Sequence, residues 1–160
     1  MYPHIFADGG TLTGFRSGTD GTELDSFRWD PVNKKGYRFA QVGAAESFVA
    51  NDVAYRKVAS GNSGIAVDDL TLGARNSVLG LAGGTSTASY YGWFQTRGQA
   101  TINKLISTAW AVGDLVIASA TAKKATIVTA GTAPTYRPLG WVTATASALA
   151  TTGVGVLFLD

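Results

Sequence analysis

Short segments in which apolar and polar residues alternate, separated by turn-forming residues, make up most of the chain after residue 36. Alternation places every second side chain on one face of a strand, and turn signals recur about every ten residues. The predicted strands are residues 37–42, 52–58, 77–82, 92–97, 100–102, 115–118, 125–129, 139–143 and 153–159. The pattern predicts an all-β fold, a compact antiparallel β-barrel or sandwich of short strands.

Little helix is expected, because helical periodicity is not sustained for twelve residues anywhere in the chain. Residues 103–111 favour one or two helical turns. The Thr- and Ala-rich residues 143–152 show no period and predict a loop.

The first 35 residues differ from the rest. Large apolar residues are isolated there between Gly, Asp, Ser and Thr, without a period of 2 or 3.6. The segment is either a set of loops belonging to the domain or an extended N-terminal arm. We assign residues 1–35 to an arm with hydrophobic anchors and residues 36–160 to a β-barrel domain.

Parts of the chain resemble one another. Phe48–Tyr55 and Trp110–Ile117 share an aromatic residue, a turn-former, an Asp and a following strand. A Leu-Gly step follows each, and a Gly-opened aromatic strand precedes each, at Gly36–Phe39 and Gly92–Phe94. Asn and Gly tolerate left-handed backbone, and the Asp carboxylate can accept N–H bonds in such a turn. The sequence therefore predicts an internal repeat, residues 36–84 and 92–143.

Charge is low and nearly balanced. The 160 residues contain 15% charged residues and carry a net charge of +2, against roughly 25% charged in an ordinary soluble domain. Basic residues come in pairs at most, so no nucleic-acid partner is expected. The start of the chain lacks the basic and apolar regions of a signal peptide, and no apolar run is long enough to span a membrane, so no membrane partner is expected. A surface this poor in charge is expected to be covered by a partner.

Residues suited to catalysis or metal binding are scarce. The chain has no Cys and a single His, His4, near the terminus, which makes zinc binding or a histidine base improbable. The pair Asp68-Asp69 and the group Asp20, Glu23 and Asp25 lack the spacing of calcium loops. Gly80–Gly84 lacks the residues of a phosphate-binding loop. We predict no catalytic residue, no cofactor, no metal and no enzymatic activity.

Aromatic residues remain as candidates for function. Trp93, Phe94 and Arg97, with the preceding tyrosines, could stack on bases, but without a basic groove they are better read as core and interface aromatics. The predicted interface residues are Phe6, Phe15, Phe27, Trp29, Tyr90 and Tyr91.

Four segments carry a resemblance to a known class of proteins: Gly92–Thr101, Ala111–Val116, Pro138–Val142 and Gly153–Asp160. They resemble capsid decoration (cement) proteins of tailed bacteriophages, over roughly residues 36–160. The resemblance implies a small β-barrel on the outer surface of an HK97-type head, bound to the major capsid protein as a homotrimer and bridging capsomers. It implies a location in the virion, on the outer capsid surface.

Two other functions stay open. The chain could be a different virion component, such as a head-fibre base, a tail-tube or a baseplate module. It could also be a carbohydrate- or cell-surface-binding β-domain that uses Trp29, Trp93 or Trp110 as a platform for sugars.

Overall fold

The structure, a computed structural model, describes residues 14–19, 21–57, 64–68 and 77–159. Its ten strands are β1 (Phe27–Asp30), β2 (Lys35–Val42), β3 (Val53–Arg56), β4 (Ile65–Val67), β5 (Val78–Ala82), β6 (Tyr91–Asn103), β7 (Leu115–Ala118), β8 (Ala125–Val128), β9 (Gly140–Ala144) and β10 (Thr152–Phe158). The described residues contain no helix. The prediction of an all-β fold made of short antiparallel strands is confirmed, except that β2 pairs with β4 in parallel and the bridge between Lys104 and Ala125 is also parallel.

All ten strands belong to one sheet, in the order β1-β2-β4-β3-β5-β6-β10-β9-β7-β8, with a further pairing of β2 with β6. That pairing connects β2, β4, β3, β5 and β6 into a closed ring of five strands. A second ring is formed by the last half of β6 with β10, β9, β7 and β8, and a bridge between Lys104 and Ala125 closes it. Strand β6 belongs to both rings.

The predicted helical turns at residues 103–111 are wrong. The N–H of Lys104 donates to the carbonyl of Thr151, and the N–H of Leu105 donates to Ala125. Trp110 exchanges two backbone bonds with Ala146. The N–H groups of Ser107 and Trp110, which a helix over these residues would use, donate to Ala148 and Ala146 instead. Tertiary pairing therefore overrides the local preference.

The two Asp-containing turns of the internal repeat have the same structure. Asn51 and Gly113, 62 positions apart, adopt left-handed backbone with φ of 70° and 93°. The carboxylates of Asp52 and Asp114 each accept the backbone N–H of the residue three positions earlier, at 2.9 and 2.8 Å. The sequence prediction for both turns, left-handed backbone with an Asp acceptor, is confirmed.

Strand pairing repeats as well. Four cross-strand pairs of the first repeat have counterparts in the second. The pairs of the first repeat are Ala54–Gly80, Arg56–Ala66, Val42–Ala66 and Ala40–Gly92. Their counterparts, in the same order, are Val116–Gly140, Ala118–Ala125, Lys104–Ala125 and Ile102–Gly153. The first repeat therefore comprises residues 35–96 and the second repeat residues 97–158. The predicted match of Gly36–Phe39 with Gly92–Phe94 is wrong, because β2 is equivalent to the second half of β6. The first half of β6 is equivalent to β10.

Different side chains fill the interiors of the two rings at equivalent positions. Phe94 fills the first ring beside the small Ala40, and both are fully buried. At the equivalent positions the second ring has Gly155 and the larger Ile102, whose Cδ1 lies 3.3 Å from the place that a Cβ on Gly155 would occupy. The large residue thus lies on β6 in the first ring at Phe94 and on the neighbouring strand position in the second ring at Ile102, and in each ring it faces a small residue.

The described part of the predicted arm is attached to the sheet. Strand β1 pairs with β2, Arg16 exchanges two backbone bonds with Tyr91, and the carbonyl of Ser26 accepts the N–H of Phe39. The carboxylate of Asp25 lies 2.8 Å from a guanidinium nitrogen of Arg56. Residues 21–30 therefore pack onto the same sheet as the two rings of strands.

The two repeats are joined by polar contacts on the side of β3 and β4. Asn103 donates from its side-chain amide to the carboxylate of Asp52 at 2.8 Å. The ammonium of Lys123 lies 3.4 Å from Asp68 and 5.5 Å from the ring centroid of Phe48. A cation of the second repeat is thus held over the turn region of the first.

Replacing Asp52 or Asp114 by Ala should destabilise the protein by about 1–3 kcal/mol each, because a backbone N–H of the turn then loses its acceptor. Both carboxylates are at least 95% buried. Asn at either position retains one acceptor oxygen and should cost less. The free energy of unfolding in urea is the measurement, with the exposed Glu23→Ala as the control, expected within about 0.5 kcal/mol of the parent. Equal stability of the Ala variants and the control would contradict the role of these turns.

The carboxyl group of Glu46 should make stability depend on pH. Burial, followed by the hydrogen bond and negative charge of Asp68, raises the pKa of Glu46, and Lys123 offsets this in part. Because folding favours the protonated form, the contribution to stability should rise as the pH falls through the raised pKa and level off below the ordinary value of 4.5. Glu46→Gln should abolish this contribution.

The readout is the difference in free energy of unfolding between the parent and Glu46→Gln, followed from pH 7 to pH 4. The variant should be the more stable protein at pH 7, and the difference should shrink on acidification. A difference that is constant with pH would contradict the prediction.

Candidate interaction surface

Four exposed aromatic side chains lie around one arginine on the outer side of the sheet. Phe27 and Trp29 on β1 are 49% and 41% exposed, and Trp141 on β9 and Phe158 on β10 are 44% and 39% exposed. Arg97 on β6 is also exposed. We call these five residues the aromatic surface.

Strand register places four positions of this region in one row across the sheet. Trp29 is opposite Gly36, Gly36 is opposite Arg97, and Arg97 is opposite Phe158. Directly opposed residues in neighbouring strands point to the same face. The Phe27 ring covers the backbone of Gly36, where a Cβ would come within 2.9 Å of the ring. Glycine at this position therefore lets the aromatic ring lie flat on the sheet.

The other half of the aromatic surface consists of two aromatic side chains in contact, Trp141 and Phe158. The centroids of Trp141 and Phe158 are 5.3 Å apart, with an angle of 32° between the planes. Each residue sits between two buried neighbours, as expected when strands alternate between core and solvent. The rings therefore support each other while both remain accessible.

Cations are placed beside these rings. The guanidinium carbon of Arg97 lies 6.0 Å from the ring centroid of Phe27, and that of Arg38 lies 5.9 Å from the same centroid. Such cation–π contacts hold an aromatic ring in place at a small energetic gain at exposed sites. The surface is thus apolar with a positive border, a combination that is common at protein interfaces.

The six predicted interface residues have different positions. Phe27 and Trp29 belong to the aromatic surface, and Tyr90 is 37% exposed on the loop before β6. Tyr91 is half-buried and stacks on Phe39 at 6.2 Å. Phe15 is half-buried, packs edge-on against Phe94 at 5.4 Å, and lies over Gly92, so its side chain packs against the core of the first ring of strands. Phe6 lies outside the described residues.

Two of the three tryptophans considered as sugar platforms are buried. Trp93 is 7% exposed and Trp110 is 2% exposed. Trp110 fills the second ring and covers Gly153. A sugar cannot stack on either indole, so that assignment is wrong for Trp93 and Trp110. Of the three, Trp29 is exposed.

Two of the carboxylates singled out in the sequence have protein partners, and Glu23 is exposed. Asp25 pairs with Arg38 and Arg56, and Asp68 pairs with Lys123. Asp20 and Asp69 lie outside the described residues, as does His4. Within the described ranges, no three or more His, Asp or Glu side chains come together as metal ligands would. No helix in the described part of the chain is long and apolar enough to cross a membrane.

Sequence reasoning missed Trp141, Phe158 and Arg97 as surface residues. The signal was present in the last strand, where Gly153, Gly155 and Leu157 alternate with Val154, Val156 and Phe158. Glycines on one side of a strand indicate close packing on that side. The opposite side, which ends in Phe158, was therefore recognisable as the outer face.

Lys104 was missed as well. It is 1% exposed, and its ammonium lies 3.0–3.5 Å from the carbonyl oxygens of Leu105, Ser147, Ala148 and Ala150. Burial lowers the pKa of Lys104. The equivalent residue of the first repeat is Val42, so a lysine takes the place of an apolar core residue. Its hydrogen bonds to Ser147, Ala148 and Ala150 hold the loop before β10 in position.

Comparisons of the chain with models of protein families, with curated proteins and with solved structures find no match.

Replacement by Ala should lower the free energy of unfolding more at Phe15 than at Phe27. Phe15→Ala should lower the free energy of unfolding by about 2 kcal/mol, because the half-buried phenyl group packs against the core of the first ring of strands. Phe27→Ala should cost less than about 1 kcal/mol, because half of that side chain is already in water. Urea unfolding of both variants is the test. A larger loss for Phe27→Ala than for Phe15→Ala would contradict the assignment of core and surface.

Proposed function

We propose that this protein is a virion structural protein, a capsid decoration protein that binds the outer surface of an HK97-type head and stabilises it by bridging capsomers. It acts through contact area, without a catalytic residue or cofactor. Its partners are the major capsid protein and further copies of itself, with a homotrimer as the assembled form.

The observation that carries the proposal is the aromatic surface. Four aromatic side chains, each 39–49% exposed, are gathered on one side of a chain with few charges. Exposed apolar clusters of this kind mark protein contacts, and aromatic and arginine side chains provide most of the binding energy in such contacts. A rigid sheet keeps them in position at a low cost in entropy.

The second support is the resemblance to decoration proteins. Its four segments fall on β6, on the Asp114 turn with the start of β7, on the start of β9, and on β10. These elements contribute to the second ring, and the first half of β6 contributes to the first ring. A protein that must resist outward pressure on a shell benefits from many backbone hydrogen bonds, which closed rings of strands provide.

The β1 side of the aromatic surface is assigned to the capsid. Strand β1 is the first strand in the sheet order and pairs only with β2 among the described strands. Its exposed Phe27 and Trp29 can therefore reach a flat neighbouring surface. Binding many copies around one head multiplies a modest contact energy through avidity.

Heads assembled from the major capsid protein of the phage should bind this protein saturably. Bound protein should pellet with the heads, raise the temperature at which they rupture, and give density on their outer surface by cryo-electron microscopy. A double variant, Phe27→Ser with Trp29→Ser, should reduce occupancy at least tenfold. Leu149→Ser is the matched control, because Leu149 is 83% exposed outside the aromatic surface and should bind like the parent.

Failure of the folded parent protein to bind heads would overturn the proposal. Density on a tail or on the base of a head fibre would place the protein in another part of the virion. Binding to glycans that is lost with Trp29→Ser, together with no binding to heads, would establish the carbohydrate function instead.

A further inference from the structure

We propose that an exposed face of the second repeat, called the open face, binds a second copy of this chain head to tail. The equivalent face of the first repeat is covered by the second repeat of the same chain, and the contact between copies repeats that internal contact. The open face consists of Leu115, Trp141 and Val156, with Phe158 beside them. This deepens the self-association named in the proposed function and does not depend on binding to a capsid.

The equivalence of the two faces follows from strand register. In the first repeat, Val53 is opposite Leu81, which is opposite Gln95. In the second repeat, Leu115 is opposite Trp141, which is opposite Val156. Both rows cross three strands in the same order, and both begin directly after the Asp of the repeated turn. They are the same surface of the repeated unit.

The row of the first repeat is covered by the second repeat. Val53, Leu81 and Gln95 are 0%, 2% and 8% exposed. The N–H of Val53 donates to the carbonyl of Lys123 at 3.0 Å. Val53 and Leu81 share one apolar cluster with Leu157 and other residues of the second repeat. The amide of Gln95 donates to the carbonyl of Gln99 at 2.9 Å.

The row of the second repeat has no such cover among the residues that the structure describes. Trp141 is 44% exposed where its counterpart Leu81 is 2% exposed. Leu115 and Val156 are half-buried where Val53 and Gln95 are buried. None of the three open residues is charged. A larger side chain at the centre of an uncovered row, packed against the ring of Phe158, is typical of a contact hot spot and would be costly if left in water.

The internal contact indicates what the open face receives. Inside the chain, the covered face of one repeat meets a different face of the next repeat, so the contact is heterologous. The same contact between chains would place the first repeat of one copy on the open face of another. Heterologous contacts close into rings when the rotation permits, and three chains would then place six repeats around one axis.

The test is self-association of the full chain without capsids. Sedimentation over a range of concentrations should show a species larger than the 16.6 kDa chain. Trp141→Glu should raise the dissociation constant by about 30-fold or more, the effect expected for a hot-spot residue. Leu149→Glu introduces the same charge at an exposed apolar position elsewhere and should associate like the parent.

Circular dichroism and thermal melting show whether each variant is folded. If Trp141→Glu does not fold, Trp141→Ser provides the same comparison. Equal association of the folded Trp141 variant and the Leu149 control would overturn the proposal, as would a parent protein that remains monomeric at millimolar concentration. Neither result would bear on binding of single copies to heads.

A single introduced cysteine distinguishes head-to-tail packing of the copies from packing in which two open faces meet, because the chain has no native Cys. A fluorophore on Val156→Cys should change its emission as the protein associates. The unlabelled variant should form no disulfide-linked dimer under oxidation, since head-to-tail packing keeps the two open faces apart. Rapid formation of that dimer would show that two open faces meet each other and would overturn the head-to-tail arrangement.

Discussion

Strand β6 is the element on which the rest of the structure depends. Its thirteen residues form part of both rings, so neither ring can close without it. The first half pairs with β2 and β5, and the second half pairs with β10. Gly98, with φ of 86°, lies close to the backbone of Lys34, where a Cβ would collide with the carbonyl. The position where the chain passes from one repeat to the other therefore requires glycine.

Duplication explains how a chain with few charges and many small residues builds a stable core. Each repeat forms a ring of five strands around a small interior, and large and small residues exchange places between the two rings. The second repeat also covers one apolar face of the first. The same face of the second repeat, centred on Trp141, has no cover within the described residues. A tandem repeat of this kind inherently leaves one face open at its end.

The sequence predicted most of the strands because alternation and turn residues are local signals. It also identified the two Asp turns, where Asn51 and Gly113 mark left-handed backbone. It missed β1 and β4, which are short and lack a sustained alternation. It misplaced the repeat boundary, because the aromatic residues of β2 and β6 look alike although their positions in the rings differ. Residues 103–111 were misread because their hydrogen-bond partners, Thr151 and Ala146 among them, are distant in sequence.

The candidate surface was predicted in part. Isolated aromatics at Phe27 and Trp29 indicated contact residues, and both are exposed. Phe15 had the same local pattern but belongs to the core, since only the fold shows that it lies over Gly92. Trp141 and Phe158 had to be recognised as the outward side of alternating strands. Lys104 could not have been recognised as buried, because the four carbonyl oxygens around it come mostly from a loop more than forty residues away.

Hydroxyl-radical footprinting read out by mass spectrometry tests directly whether the second repeat presents a contact face. It compares dilute protein with assembled protein. We predict that Trp141 and Phe158 are oxidised in dilute protein and protected on assembly, while the exposed Val112 and Leu149 remain reactive in both states. Assembled protein in which Trp141 stays as reactive as in dilute protein would contradict the claim that the second repeat presents a contact face.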